Sequence, residues 1–335
     1  MPKVLITGIT GQDGSYLAEN YMSDAYEVHG LVRRSSIVQR PRIDHLYNSN
    51  VTAETQRLHL HYADLSDTTA LVRVIDKVQP NYVINLAAQS HVAVSFEVPL
   101  ETANVTGLGA LALFEAVRIV NPAIRVYQAG SSEMFGGMLG RQSLDEESGF
   151  FPKSPYANAK VFAHHSATIY RDSYGMHISN GILFNHESPR RGENFVSRKI
   201  TIAAARISMG LQEKLFLGNL EAKRDWGHAS EYVRAIRLMV EAETPDDFVV
   251  ATGKSYSVRE FASKTFMKLN LDFDKYVTID KSLLRPNEVE DLLGNPNKIE
   301  KKLGWKHEID LDGLIDDMLK TDLENAKFEK LKKHV

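Results

Sequence analysis

KVLITGITGQDG, residues 3–14, decides the reading of this chain. Its first half is a short apolar run rich in β-branched residues, the pattern of a buried strand. Gly8, Gly11 and Gly14 are then spaced as a tight turn into a helical pattern that carries Tyr16, Leu17 and Tyr21. Such a turn brings backbone N–H groups against a pyrophosphate at a helix N-terminus. Glycine is needed because a Cβ would hold the phosphates away and because the helix must start close to the strand. A glycine-rich turn is also an ordinary loop; what favours the phosphate reading is its place after the first strand of an alternating β/α series. Gly8, Thr10, Gly11, Gln12, Asp13 and Gly14 are therefore candidate cofactor contacts.

The series continues with strand candidates EVHGLVR, RLHLHYADL, YVINLAA, RVYQAGSS and HISNGILF, most of them followed by an amphipathic helical pattern. This predicts an α/β fold: a Rossmann-type doubly wound parallel sheet. A long helix is expected over 104–120, burying Leu108, Leu111, Leu113, Phe114 and Val117. From about Asn185 the alternation breaks into loops rich in arginine and glycine, which reads as a smaller C-terminal substrate-binding lobe over 185–335, interleaved with the dinucleotide-binding domain of 1–184. Segments near 225–255 are expected to return to that first domain.

With 335 residues, 43% hydrophobic and 25% charged, the chain has ample core for a main domain and a smaller lobe. A net charge of −3 argues against a nucleic-acid partner, and the absence of cysteine excludes disulfides, thiolate zinc sites and a cysteine nucleophile. No apolar run reads as a membrane span and the chain opens on a strand instead of a signal peptide, so a cytoplasmic location is expected. No His/Asp/Glu constellation demands a metal. Lys330, Lys332 and Lys333 read as a solvated helix end.

The second strand ends in Arg33, Arg34, Ser35 and Ser36, where an NAD-selective fold would place an acidic residue for the ribose 2′-hydroxyl. Two arginines and two hydroxyls at that position favour a 2′-phosphate, hence NADP; a plain charged loop is the alternative. Asp64 and Leu65, closing the third strand, would flank the adenine. Leu86, Ala87, Ala88, Gln89 and Ser90 would line the cofactor's far half.

Tyr156 and Lys160 lie one helical turn apart, so both project from one face. A tyrosine with a pKa near 10 is a poor base at neutral pH, and an adjacent ammonium would favour its phenolate. Ser131, 25 residues before Tyr156 at a strand end, would donate to the substrate oxygen. The spacing of Tyr156 and Lys160 alone is common in helices; the strand-end serine and the glycine turn are what make it a site.

These residues resemble the extended short-chain dehydrogenase/reductases that act on nucleotide sugars. Residues 181–200 (GILFNHESPRRGENFVSRKI), 217–233 (LGNLEAKRDWGHASEYV), 250–261 (VATGKSYSVREF) and 285–305 (RPNEVEDLLGNPNKIEKKLGW) narrow the resemblance to the GDP-mannose 4,6-dehydratase family. It covers nearly the whole chain. It implies NADP retained through the reaction and a 4-keto-6-deoxy sugar nucleotide as product. Tyr156 would take the C4 hydroxyl proton as hydride leaves C4 for the cofactor. The resulting ketone acidifies the C5 proton, which Glu133 would remove before helping water leave C6, where the hydride returns. Read without the resemblance, Glu133 is a surface charge.

By the family's pattern His186 and Arg191 would help hold NADP, while Ser90, Glu133, Asn185, Lys199, Arg224, Arg285 and Glu288 would hold the GDP-linked sugar. Lys199, Arg224 and Arg285 suit a diphosphate as fixed cations and bidentate donors. Glu288 suits ribose hydroxyls or a guanine edge. His186 and Asn185 also read as a structural histidine and a turn residue.

The chain departs from the family where Ser131 replaces a threonine, Glu101 replaces an aromatic, and residues 136–142 (GGMLGRQ) are glycine-rich. These changes keep the dehydratase mechanism but admit a larger sugar, GDP-D-glycero-D-manno-heptose, as the alternative substrate. An epimerase or a 4-reductase would share the cofactor site yet has no use for Glu133, and a catalytically idle NADP-binding regulator would not need all four catalytic side chains. In the resembling family the arginine-rich segment 33–42 reaches a neighbouring subunit. With pairing through helices 104–120 and 155–174, this favours a homotetramer over a plain homodimer.

Overall fold

A computed structural model describes residues 1–35, 40–47, 56–137, 143–284 and 286–333. Ser36, Arg285 and most of the 136–142 stretch lie outside the described residues.

Six strands follow the apolar runs: β1 (Lys3–Thr7), β2 (Glu27–Val32), β3 (Leu58–Tyr62), β4 (Tyr82–Asn85), β5 (Arg125–Ala129) and β6 (Ile178–Leu183). A seventh strand, Asp247–Val250, joins them at the β6 edge, and every pairing is parallel. The order across the sheet is Asp247–Val250, β6, β5, β4, β1, β2, β3. Chain direction across the sheet reverses between β1 and β4, and in such sheets the crevice beyond the strand ends at that reversal is where ligands bind.

Helices cover both faces, which is why the strands are continuous apolar runs instead of alternating ones. Helix α1 (Gln12–Ser23) and helix Ala229–Glu241 pack on one face around Val4, Ile6, Val28 and Tyr21. Helices α2 (Thr68–Val78), Gly109–Val120 and Pro155–Tyr174 cover the other, around Leu5, Val83, Val126 and Phe114. Beyond residue 184 a second core gathers Ile200, Trp226, Phe261, Phe266 and Ile315 under helices Val196–Ser208, Val258–Lys268 and Leu311–Lys333. Strand Lys223–His228 runs through this part, paired with Asn185–Glu187, Ser255–Ser257 and Asp291–Leu292.

The long helix differs from its expected form. It begins at Pro99, passes through a wider π-type stretch at Ala103–Leu108 and continues over Gly109–Val120. Leu113, Phe114 and Val117 are buried as expected, but Leu108 is 52% exposed. The two flanking glycines explain this. A Cβ on Gly107 would stand 3.3 Å from the Phe162 ring and one on Gly109 2.7 Å from Leu65 Cβ, so 107 and 109 face inward and 108 faces out.

With Leu100 and Ile119 also exposed, helix Pro99–Val120 is apolar on both sides, and by length and composition it would pass as a membrane span, contrary to the expectation that no run reaches that length. One side is core. The other borders a groove of about 630 Å³ shared with helix Pro155–Tyr174 and lined by Phe96, Pro99, Leu108, Pro155 and Phe162.

Candidate active site

The glycine turn is as tight as its sequence implies. Gly8 has φ +68° and a Cβ there would press on Ala87 N at 3.1 Å; one on Gly14 would sit 2.5 Å from Gly8 O and Ile9 Cα. Gly11, the residue before α1, supplies no side-chain cap, which leaves the first-turn amides to an outside acceptor. This is a cradle that fits a dinucleotide pyrophosphate. Thr7 braces it from beneath: its Oγ1 accepts from Leu86 N at 3.0 Å and Ala87 N at 2.9 Å. Gln89 N donates to Thr106 Oγ1 at 3.1 Å, and Ser90 is exposed.

Arg33, Arg34 and Ser35 stand exposed at the end of β2. Asp64 accepts from the backbone and hydroxyl of Ser66, and these bonds, with Arg33 nearby, hold it below the usual carboxylate range against the opposing effect of burial. Leu65 turns its side chain into the core against Gly109, so only its backbone can face a ligand. The described residues at the far end of this arginine-rich stretch are held within the same chain. Arg42 donates to Arg190 O at 2.8 Å and to Thr10 O at 3.3 Å, and Arg40 pairs with Asp44.

Tyr156 and Lys160 sit on helix Pro155–Tyr174, whose start is fixed by Ser154 capping Ala157 N and by Pro155 in the first turn. Both side chains are buried. Lys160 Nζ donates to Ala129 O at 2.8 Å and lies 5.9 Å from the Tyr156 ring centroid. Burial lowers Lys160 to about 8, with Asp13 opposing. Tyr156 is pushed up to about 12, first by burial and then by the Glu133 charge, although a hydrogen bond with Ser131 and the Arg191 charge pull it down. The ammonium therefore does not by itself make the phenolate; in the protein alone burial outweighs it.

Ser131 ends the loop after β5 and caps a single turn, Ser132–Phe135, accepting from Glu133 N at 3.3 Å. That cap aims Glu133 into the same crevice, where its side chain is 12% exposed and its Oε1 lies 4.0 Å from Arg224 Nη2. Arg224 is buried: Nη1 donates to Lys223 O and Val289 O, both at 2.8 Å, and Nη2 reaches Glu288 Oε1 at 3.2 Å. Arg224 stands between Glu133 and Glu288, where the pairing of 291–292 with 223–224 brings the Glu288 loop across it.

His186 faces Asp13 at 2.9 Å, and Arg191 pairs with Glu187 at 3.1 Å while lying over the Phe195 ring. Asn185 begins the short strand beside Trp226, and Lys199 is exposed on helix Val196–Ser208.

One further feature joins three strands beneath the site. Thr7, Asn85 and Gln128 end three neighbouring strands in register and form a buried ladder: Thr7 Oγ1 to Asn85 Oδ1 and Asn85 Nδ2 to Gln128 Oε1, both 2.7 Å. Gln128 Nε2 then donates to Ala129 O, the oxygen that also holds Lys160. The signal was present as one polar residue at or next to the end of each of three apolar strands.

A doubly wound parallel sheet carrying a glycine cradle and a Ser–Tyr–Lys set defines a Rossmann-fold enzyme of the short-chain dehydrogenase/reductase class. The model of the family described as GDP-mannose 4,6 dehydratase matches residues 5–318. GDP-mannose 4,6 dehydratase 1 of Arabidopsis thaliana is 53% identical over 331 residues, covering 98% of this chain and 91% of that protein. GDP-mannose 4,6-dehydratase of Yersinia enterocolitica is 46% identical over 362 residues, covering 99% and 97%. Among solved structures, DesIV, the dTDP-glucose 4,6-dehydratase of Streptomyces venezuelae with NAD and TYD bound, superposes with a TM-score of 0.84 at 21% identity, covering 97% and 98%. This chain belongs to the GDP-mannose 4,6-dehydratase family, and it is an enzyme of the hydro-lyase type that defines that family.

Proposed function

We infer that this enzyme converts GDP-D-mannose to GDP-4-keto-6-deoxy-D-mannose with NADP as its nicotinamide cofactor. The observation that carries the reading is that Ser131 caps the turn that holds Glu133, whose side chain is 12% exposed, while Tyr156 and Lys160 are buried on the helix beside it, Lys160 bonded to the carbonyl that ends β5. A nicotinamide held by the cradle supplies acceptance of hydride from C4 and its return to C6. The chain's own residues handle the protons. Tyr156 takes the proton of the C4 hydroxyl while Ser131 donates a hydrogen bond to the same oxygen. Lys160, fixed on Ala129 O, keeps positive charge beside the tyrosine. Glu133 then removes the proton on C5 and returns it to the hydroxyl leaving C6, so one carboxylate serves as base and then acid.

Arg33, Arg34 and Ser35 support NADP by their position at the end of β2, and Arg224, Lys199 and Glu288 are assigned to the GDP moiety and its diphosphate, with Asn185 and Ser90 nearer the sugar. His186 and Arg191 border the cofactor side. The exposed apolar groove between helices Pro99–Val120 and Pro155–Tyr174 supports pairing with a second copy and a homotetramer built from such pairs. The location assigned with this chemistry is the cytoplasm.

Incubating the purified protein with GDP-hexoses and with GDP-D-glycero-D-manno-heptose, and following loss of one water by mass spectrometry, tests the reading. Turnover of GDP-D-mannose is the expected result; turnover of the heptose alone would replace the substrate, and no dehydration of any GDP-sugar would overturn the function.

A further inference from the structure

Lys160 is held by a carbonyl, and that carbonyl has a second donor. Ala129 O accepts from Lys160 Nζ at 2.8 Å and from Gln128 Nε2 at 2.9 Å. A glutamine amide can present either its nitrogen or its oxygen, so something must select the nitrogen. The selection starts at the cofactor cradle. Leu86 N and Ala87 N both donate to Thr7 Oγ1, which fills its acceptor positions and leaves only the hydroxyl proton to offer. That proton goes to Asn85 Oδ1 at 2.7 Å, so Asn85 turns its nitrogen to Gln128. Gln128 must then accept with Oε1, also at 2.7 Å, which points its Nε2 at Ala129 O. All three side chains are 2% exposed or less, so bulk water offers none of them another partner. They alternate along their strands with Ile6, Ile84 and Tyr127, which pack on the opposite face, and so point toward helix Pro155–Tyr174.

We propose that Gln128 is a positioning residue for Lys160: oriented by Thr7 and Asn85, its amide fixes the Ala129 carbonyl on which the ammonium is held beside Tyr156. A ladder that only joined strands would end once its own groups were paired. This one continues to the single oxygen that the lysine uses. Its other end lies under the cradle, since a Cβ on Gly8 would stand 3.1 Å from Ala87 N, one of the two amides that set the direction of the Thr7 hydroxyl. One chain of hydrogen bonds therefore runs from the phosphate-binding turn to the acid/base pair. Burial lowers Lys160 to about 8, so a change in what surrounds its nitrogen changes how much of the enzyme carries the ammonium. The consequence for rate rests on the dehydratase reading; the effect on Lys160 itself does not.

The test labels lysine with 13C at Cε, identifies the Lys160 resonance by its loss in Lys160→Met, and titrates it by NMR. Gln128→Glu keeps the size and an oxygen for Asn85, and puts a carboxylate oxygen where Nε2 stood. Ala129 O cannot donate to it, so Lys160, on the same oxygen, gains an opposite charge as neighbour and its midpoint rises by about one pH unit or more. Should Gln128→Glu not fold, Asn85→Asp decides: its carboxylate can only accept, which obliges Gln128 to turn its nitrogen to position 85 and its oxygen to Ala129 O, and the midpoint again rises. An unchanged or lowered midpoint overturns the proposal. In turnover, Gln128→Met should lower kcat by about tenfold or more while KM for the GDP-sugar stays within about threefold. In a Lys160→Met background the same substitution should change kcat less than about twofold, because it acts through the lysine. Equal losses in both backgrounds, or a loss in KM alone, overturn it. An unaltered protein that dehydrates no GDP-sugar would remove the functional reading, and the lysine titration would still decide the role of Gln128.

Discussion

Glu133→Gln separates the two proton transfers assigned to this site. Glutamine keeps the volume and can still be capped through its backbone by Ser131, but it cannot take the C5 proton. Loss of a positioned general base costs about 10²–10⁴-fold, or about 3–5 kcal/mol of barrier. Stability should change far less. Glu133 and Arg224 at 4.0 Å attract by about 4 kcal/mol gross at an effective dielectric of 20, most of it offset by desolvation, and Arg224 retains Glu288 at 3.2 Å and two backbone carbonyls. A net loss of about 1 kcal/mol is the upper end of what this geometry supports. The assay is dehydration in D2O, read by mass spectrometry and NMR for product and for deuterium at C5, beside a denaturant melt. Dehydration by the variant within about tenfold of the unaltered enzyme would refute the role given to Glu133. So would a melt that collapses in step with activity, because the loss would then be one of structure.

Replacing Arg33 and Arg34 together with alanine should weaken NADP far more than NAD in equilibrium binding; equal losses would place these arginines on the shared pyrophosphate or on the surface. Gly14→Ala should lose cofactor binding and about 2 kcal/mol or more of stability in urea melts, because the new Cβ meets backbone atoms at 2.5 Å that cannot step aside. A third expectation concerns His29, buried between His59 and His61, which burial lowers to about 4 from an ordinary 6.5. A base with a depressed folded pKa contributes stability that is complete above pH 6.5 and lost as pH falls toward 4, here with the Glu27 carboxylate 2.9 Å from His29 Nε2 opposing the loss. His29→Phe should flatten that part of the stability profile in melts between pH 7.5 and 4.5, and an unchanged slope would show that other groups carry the acid sensitivity. Turnover should also consume no external NADPH, and stoichiometric oxidation or reduction of added cofactor during catalysis would indicate a dehydrogenase.

Much of the sheet was legible because β1 to β6 are buried on both faces and therefore read as apolar runs bounded by turns. The seventh strand, Asp247–Val250, lies in the 225–255 stretch expected to return to the first domain, but at four residues, in a part of the chain where the alternation had already broken, it was not legible as a strand. Leu108 misled for a related reason: helical spacing marks apolar positions but does not say which side of a helix meets the core and which meets a groove. The candidate side chains of the site were picked out by type and spacing. Their partners were not, because Asp13 with His186, Arg224 with Glu288 and the Thr7–Asn85–Gln128 ladder each join residues far apart in sequence.

Those partnerships also determine the order in which the site can work. Burial pushes Tyr156 up to about 12, so on the proposed reading the first proton transfer would draw on positive charge close to the phenol, for which the Lys160 ammonium is placed. Glu133 works against that step, since its charge raises Tyr156, yet the proposed mechanism uses it for the next. Arg224, 4.0 Å from Glu133 and bonded to Glu288, is placed to offset part of that charge while C4 is oxidised. The two carboxylates near Tyr156 are each faced by a cation, Asp13 by His186 and Glu133 by Arg224, so the crevice can hold both without losing the base that starts the reaction.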